Sequence, residues 1–128
     1  MVTYAPLSSL VVRASPTHGL GVFATEPIAA DTVVEHSAIL ESLIDRRHIT
    51  CGMERYMYAS WKEFPHIYIM PSGFGTMYND AGRCANVRHE LDMNQRLMSF
   101  VAVRDIEPGE ELRIDYRQTT RQDILRGQ

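Results

Sequence analysis

Cysteine is scarce: Cys51 and Cys84 are the only two in 128 residues. They stand too far apart for a CxxC metal pair and are too few for a disulfide scaffold, so a reducing, intracellular setting is expected. Lysine is scarcer still, because Lys62 is the one basic residue of thirteen that is not an arginine. No Lys/Arg cluster occurs in either half, and sixteen acidic residues bring the net charge to -3, so direct nucleic-acid binding is not expected. Eighteen successive apolar residues occur nowhere, and residues 1–10 have no basic segment followed by an apolar one. Neither a membrane span nor a secretory leader is therefore expected. A Walker loop is missing, and so is a GxGxxG between a strand and a helix, which removes the usual nucleotide cradles. There is no internal repeat and no biased run.

What is present suits one domain over residues 1–128: 45% of residues are hydrophobic and 23% charged, enough for a modest single core. Short apolar, β-branched segments dominate. Residues 10–14 and 21–24 flank the polar Gly/Pro stretch 15–19 and predict a hairpin. Further strands are predicted over 31–41, 56–59, 66–70, 86–91, 97–103 and 111–116, with turns at 71–73, 92–95 and 107–110. Residues 46–53 read as loop or short helix, and only 120–126 has a clear helical pattern. Strands of about five residues at this spacing, without βαβ alternation, predict a mainly β domain built from several small sheets.

Three motifs follow in order. The first is His18-Gly19-Leu20-Gly21-Val22-Phe23-Ala24. The second is Gly73-Phe74-Gly75-Thr76-Met77-Tyr78-Asn79-Asp80, continued by Cys84-Ala85-Asn86-Val87. The third is Arg104-Asp105-Ile106-Glu107-Pro108-Gly109-Glu110-Glu111-Leu112-Arg113-Ile114-Asp115-Tyr116. Alone, a Gly-x-Gly in a hairpin reads as a turn. Together the series resembles the SET domain of protein lysine methyltransferases, which carries GxGxFA, NHSCxPN and RxIxxGEELxxDY. The resemblance runs from about Val12 to Arg117. Its central Gly-Phe-Gly and Asn-Val-Arg-His-Glu-Leu are most similar to the small free-standing SET proteins of large viruses and bacteria.

The resemblance implies a β-rich fold whose C-terminal segment threads a loop in a knot-like way and brings the asparagine motif beside the final tyrosine. It implies that S-adenosyl-L-methionine is bound in a surface cleft and released as S-adenosyl-L-homocysteine. A substrate lysine would enter from the opposite face through a narrow channel. Such a transfer needs a neutral amine, whereas a free lysine has a pKa of about 10.4. Apolar and aromatic walls, together with the donor's sulfonium charge, would lower that pKa without a protein base.

Residue by residue, the resemblance assigns Tyr116 the catalytic role, its hydroxyl orienting the amine. It assigns Gly19, Leu20 and Gly21 to the first donor-binding loop, and Asn79 and Asp80 to the second donor contact. Tyr56 and Tyr58, two apart and so on one face of a strand, become channel walls that suit an alkylammonium. Tyr78 and Ile114 complete the candidate channel, with Ile114 where the family often has an aromatic residue that helps set how many methyls fit. For the residues taken alone, core packing is the alternative for Tyr56, Tyr58 and Tyr116 and a turn for the asparagine.

Asp80 stands where the family has histidine, and Ala81 and Ala85 replace serine and proline. No CxCxxxxC cluster follows Tyr116, so no metal is expected. Residues 119–128 hold no aromatic side chain to stack on adenine, which leaves an induced lid or a homodimer partner to close the cleft. Glu110 and Glu111 read as turn support rather than an acid/base pair, and His36, His48, His66 and His89 receive no ligand role.

The expectation is a donor-dependent protein-lysine methyltransferase of the cytoplasm, acting on an accessible lysine of a basic, histone-like protein or peptide, to which the acidic balance is suited. Two alternatives stay open. One is a SET-shaped binding or assembly module without turnover, motivated by Asp80; the other is a methyltransferase for a small amine.

Overall fold

The computed structural model describes residues 3–42, 58–60, 67–92 and 94–115, with backbone alone at 40–42, 58–60 and 67–69. Short, largely apolar segments make most of the strands: β1 Leu10–Ala14, β2 Leu20–Ala24, β3 Val33–Ser42, β4 Tyr58–Ser60, β5 Ile67–Pro71, β6 Asn79–Asp80, β7 Val87–Asp92, β8 Leu97–Ala102 and β9 Glu111–Ile114. A single 3₁₀ turn, Gly82–Cys84, lies between β6 and β7. In β9 the alternation is complete: Leu112 and Ile114 are fully buried while Glu111 and Arg113 are partly exposed.

The strands form two sheets, in the orders β1-β2-β9-β6 and β4-β5-β3-β8-β7. The predicted hairpin β1–β2 is present, paired from Leu10 opposite Ala24 to Ala14 opposite Leu20. Its turn closes with the Ser15 N–H donating to the Gly19 carbonyl at 2.7 Å, and Gly19 takes the left-handed φ of +49° that favours glycine. The second hairpin, β7–β8, runs from Val87 opposite Ala102 to Asp92 opposite Leu97. The Asp92 carboxylate accepts the backbone N–H groups of Asn94 at 3.0 Å and Gln95 at 3.2 Å, and the Gln95 side-chain amide at 2.9 Å. These bonds, the one from the Gln95 side chain foremost, hold its pKa below the usual carboxylate range.

One strand escaped the sequence reading. Asn79–Asp80 is only two residues long and pairs in parallel with β9, Asn79 opposite Arg113 and Asp80 opposite Ile114. The segment expected as strand 111–116 ends at Ile114 within the described residues. The loop or helix at 46–53, the helix at 120–126 and the chain threading beyond Asp115 lie outside the described residues.

The core joins both sheets. Val22 and Ala24 of β2, Val34 and Ile39 of β3, Met98, Phe100 and Ala102 of β8, and Leu112 and Ile114 of β9 meet in one cluster with Tyr78. A large aliphatic or aromatic side chain buried this way contributes about 1.5–3 kcal/mol relative to exposure. Ile28 and Ile106 add a backbone bridge with reciprocal bonds of 2.9 and 2.8 Å, which ties the segment before β3 to the segment before β9. Among the described residues no helix is long and apolar enough to cross a membrane, and no group of three or more His, Cys, Asp or Glu is placed to hold a metal ion.

Candidate functional site

The parallel step between β6 and β9 brings the second and third motifs together, and β2 on the other side of β9 brings the first. Asn79 stands at the junction and is mostly buried. Its amide nitrogen faces three acceptors: the His18 carbonyl at 3.1 Å, the Leu20 carbonyl at 3.1 Å and Glu111 Oε2 at 2.7 Å. Two N–H groups among three oxygens require one to be shared, and this surrounding fixes which end of the amide is nitrogen. The amide oxygen is thereby turned away from the loop.

Glu111 is the second anchor. Its other oxygen, Oε1, accepts the Ser15 hydroxyl at 2.8 Å. The Ser15 oxygen in turn accepts the N–H of Thr17 at 3.1 Å and of His18 at 3.4 Å. One carboxylate therefore holds both the start of the Gly-x-Gly loop and the asparagine that braces its far side. Charge-assisted bonds of this length are among the stronger ones.

The two glycines of that loop have different reasons. A Cβ at Gly21 would lie 2.3 Å from Glu111 Oε2 and 3.1 Å from Asn79 Nδ2, so glycine is needed for close approach. A Cβ at Gly19 would meet nothing within 4 Å, so the backbone there borders open space. Leu20 between them is 54% exposed.

Asn86, also buried, works on the inner side of β9. Its side chain donates to the Glu111 carbonyl at 2.9 Å and accepts the Arg113 N–H at 2.8 Å. Its own N–H donates to the Arg113 carbonyl at 3.1 Å, while its carbonyl accepts the Val103 N–H at 2.9 Å. One residue thus supplies the hydrogen bonds of a neighbouring strand.

Asp80 is exposed, and its Oδ1 accepts the Gly82 N–H at 3.2 Å, an Asx turn opening the 3₁₀ segment. The Ala81 N–H donates to the Ile114 carbonyl at 2.9 Å, so the backbone at this position stays docked on β9 although the side chain is not histidine. Ile114 is fully buried in the core cluster. Tyr78, expected on the channel, is enclosed in the core with its ring 4.5 Å from that of Phe100 and its hydroxyl donating to Glu35 Oε1 at 2.6 Å. A buried hydroxyl needs such a partner. Tyr58 lies on β4 opposite Ile69. Tyr56 and Tyr116 lie outside the described residues.

Of the residues singled out in the sequence, the fold brings Gly19, Leu20, Gly21 and Asn79 together, with Asp80 beside Asn79 on β6. Sequence reasoning missed Ser15 and took Glu111 for turn support; the only signal for Ser15 was its place at the mouth of a Gly/Pro turn. Glu110, beside it, does support the turn, accepting the Glu107 N–H at 3.0 Å and Arg104 at 3.1 Å. The backbone bond first, and the arginine after it, keep the Glu110 pKa low.

Comparison with known proteins agrees with this arrangement. The SET domain profile matches residues 19–117. A Schizosaccharomyces pombe protein named histone-lysine N-methyltransferase, H3 lysine-37 specific, is 34% identical over 112 residues, covering 85% of this chain and 74% of that one. Among solved structures, a protein described as a histone methyltransferase from Plasmodium falciparum superposes with a TM-score of 0.67 at 24% identity, over 86% of this chain and 94% of that one. The methyltransferase domain of human PR domain-containing protein 2 gives 0.62 at 18% identity, over 84% and 76%. These structural likenesses speak to the fold. The profile over residues 19–117 and the 34% identity to the S. pombe protein place the chain in the SET-domain family.

Proposed function

We propose that this chain is an S-adenosyl-L-methionine-dependent protein-lysine methyltransferase, folded as one domain over residues 1–128. The observation that carries the reading is Asn79, held by Glu111 and by the carbonyls of His18 and Leu20 at the edge of an open Gly-x-Gly loop. The residues present suit the donor. The loop offers backbone without a side chain at Gly19, and the amide oxygen of Asn79, whose nitrogen the loop holds, is an acceptor for an ammonium group. When bound, the donor supplies an electrophilic methyl carbon on a sulfonium.

The chain's own part is to bind, orient and desolvate. Gly19, Leu20, Gly21, Asn79 and the backbone at Asp80 hold the donor side. Tyr56 and Tyr58 wall the lysine channel and disfavour the protonated amine by excluding water, while Ile114 limits its depth from the core side. Tyr78 backs them from the core, its hydroxyl held by Glu35. Tyr116 orients the neutral amine through its hydroxyl, a gain of proximity and alignment rather than of proton transfer. The name of the S. pombe relative favours a histone-like protein as substrate, in keeping with the net charge of -3. Threading of the segment that carries Tyr116, and a second copy closing the donor cleft, belong to the same reading.

Calorimetric titration with S-adenosyl-L-methionine and S-adenosyl-L-homocysteine tests it, with Tyr116→Phe as the partner variant. Micromolar or tighter binding, about 8 kcal/mol, is expected for both proteins, with lysine methylation lost only in the variant. The exposed Asp80 favours one second reading, a SET-derived interaction module. No binding by the native protein, with binding restored by Asp80→His, would select that module instead.

A further inference from the structure

Glu35 is the only acidic side chain buried among the described residues, and the donor site as described makes no use of it. It follows the irregularity in β3 where the register against β8 shifts between Val33 and Glu35. Its two oxygens are divided between two donors. Oε1 accepts the Tyr78 hydroxyl at 2.6 Å, and Oε2 accepts the Phe74 N–H at 2.8 Å. Gly73, at φ +64°, closes over the same carboxylate, where a Cβ would stand 2.3 Å from Oε2. The Gly73-Phe74-Gly75 run is therefore folded onto Glu35. Gly75 packs in the same way on Pro71, 2.5 Å from where its Cβ would be.

The segment held at both ends by Glu35 delivers Asn79. From Phe74 the chain turns, with the Met77 N–H donating to the Phe74 carbonyl at 2.8 Å, and Tyr78 is the last residue before β6. A carboxylate in this position is expensive to bury, and burial indeed raises its pKa. A carboxylate meets the need that an apolar residue cannot: one acceptor for the turn and a second for the tyrosine.

We propose that the Glu35–Tyr78 pair is a positioning device for Asn79: it fixes the approach of the Phe74–Asn79 segment to β9 and thereby sets affinity for the methyl donor, not for the lysine. The proposal rests on the donor-site reading above. Tyr78→Phe, Glu35→Gln and the double variant test it, each checked first for cooperative thermal unfolding. Two readouts go beyond folding: the side-chain NH₂ resonances of Asn79 in the ligand-free protein, and the Kd for S-adenosyl-L-homocysteine beside the KM of a lysine peptide at saturating donor. In Tyr78→Phe the Asn79 resonances should move and the homocysteine Kd should rise about tenfold, with the peptide KM unchanged. Glu35→Gln keeps one acceptor and should lose about threefold. The double variant should be no worse than the worse single one, because the pair acts as a unit.

A lower melting temperature with unmoved Asn79 resonances and unchanged Kd would reduce the pair to core packing and overturn the proposal. So would a changed peptide KM with unchanged donor Kd. If the native protein binds neither ligand, the methyltransferase reading fails, and the Asn79 resonances of the ligand-free variants still decide the positioning role.

Discussion

Replacing Gly21 by alanine adds one methyl group where the structure has no room for it. The new Cβ would stand 2.3 Å from Glu111 Oε2 and 2.9 Å from its Cδ, against an ordinary contact of 3.4 Å or more. The carboxylate must therefore retreat by about 1 Å, and its bonds to Asn79 at 2.7 Å and Ser15 at 2.8 Å would then pass beyond hydrogen-bonding range. Bonds to a charged group are worth about 1.5–3 kcal/mol each. Water reaches this partly buried edge and recovers some of that, so about 2–4 kcal/mol of stability should be lost. With Asn79 released, the Kd for S-adenosyl-L-homocysteine should rise at least tenfold by calorimetry, since 1.4 kcal/mol is a factor of ten. Gly19→Ala is the control: it meets no atom within 4 Å and suffers only the strain of a left-handed φ, about 1 kcal/mol. A second control tests the cause. In a Glu111→Ala background the clash partner is gone, so Gly21→Ala should cost less than about 1 kcal/mol. Equal effects of Gly21→Ala with and without Glu111 would refute the reasoning.

Two other outcomes follow from the same network. Asn86→Ala strips β9 of the side-chain donor on the Glu111 carbonyl and the acceptor for the Arg113 N–H, both part-buried, and should lower stability by about 1–3 kcal/mol in urea unfolding with an unchanged m-value. Glu35 gives a pH signature: because burial raises its folded pKa above the unfolded value, the fold binds its proton more tightly than the unfolded chain does. Its contribution is fully present below the unfolded value of about 4.5 and is lost as pH rises through the folded pKa. The stability of the native protein relative to Glu35→Gln should therefore fall with rising pH across that window; a flat or rising difference in urea titrations would contradict it.

Legibility in the sequence followed the range of the interactions. The hairpins β1–β2 and β7–β8 were visible because apolar alternation and a Gly, Asp or Asn turn are local signals, and Leu10 to Ala24 contains everything needed to pair itself. β6 was not, because two residues, Asn79 and Asp80, have no period to read and become a strand only through β9, more than thirty positions later. The Gly-x-Gly loop and Asn79 were visible through the order of motifs. The reason for Gly21 was not, since the side chains that forbid a Cβ there come from two other strands.

Glu111 and Glu35 show what pattern reading loses. Both look like polar breaks in apolar stretches, and a charge entering a strand is most economically read as a solvated end. What gives each a role is a set of donors supplied from afar: Ser15 and Asn79 for Glu111, Tyr78 and the Phe74 N–H for Glu35. The two carboxylates approach the Tyr78–Asn79 dipeptide from opposite sheets, Glu35 from β3 and Glu111 from β9. Adjacent residues in an extended chain point to opposite faces, so one carboxylate can take the tyrosine and the other the asparagine without competition. Asn79 is therefore restrained from both sheets at once, and a shift of either sheet relative to the other is felt at the edge of the Gly-x-Gly loop. This makes the proposed donor site a property of how the two sheets are joined rather than of the three motifs taken one by one.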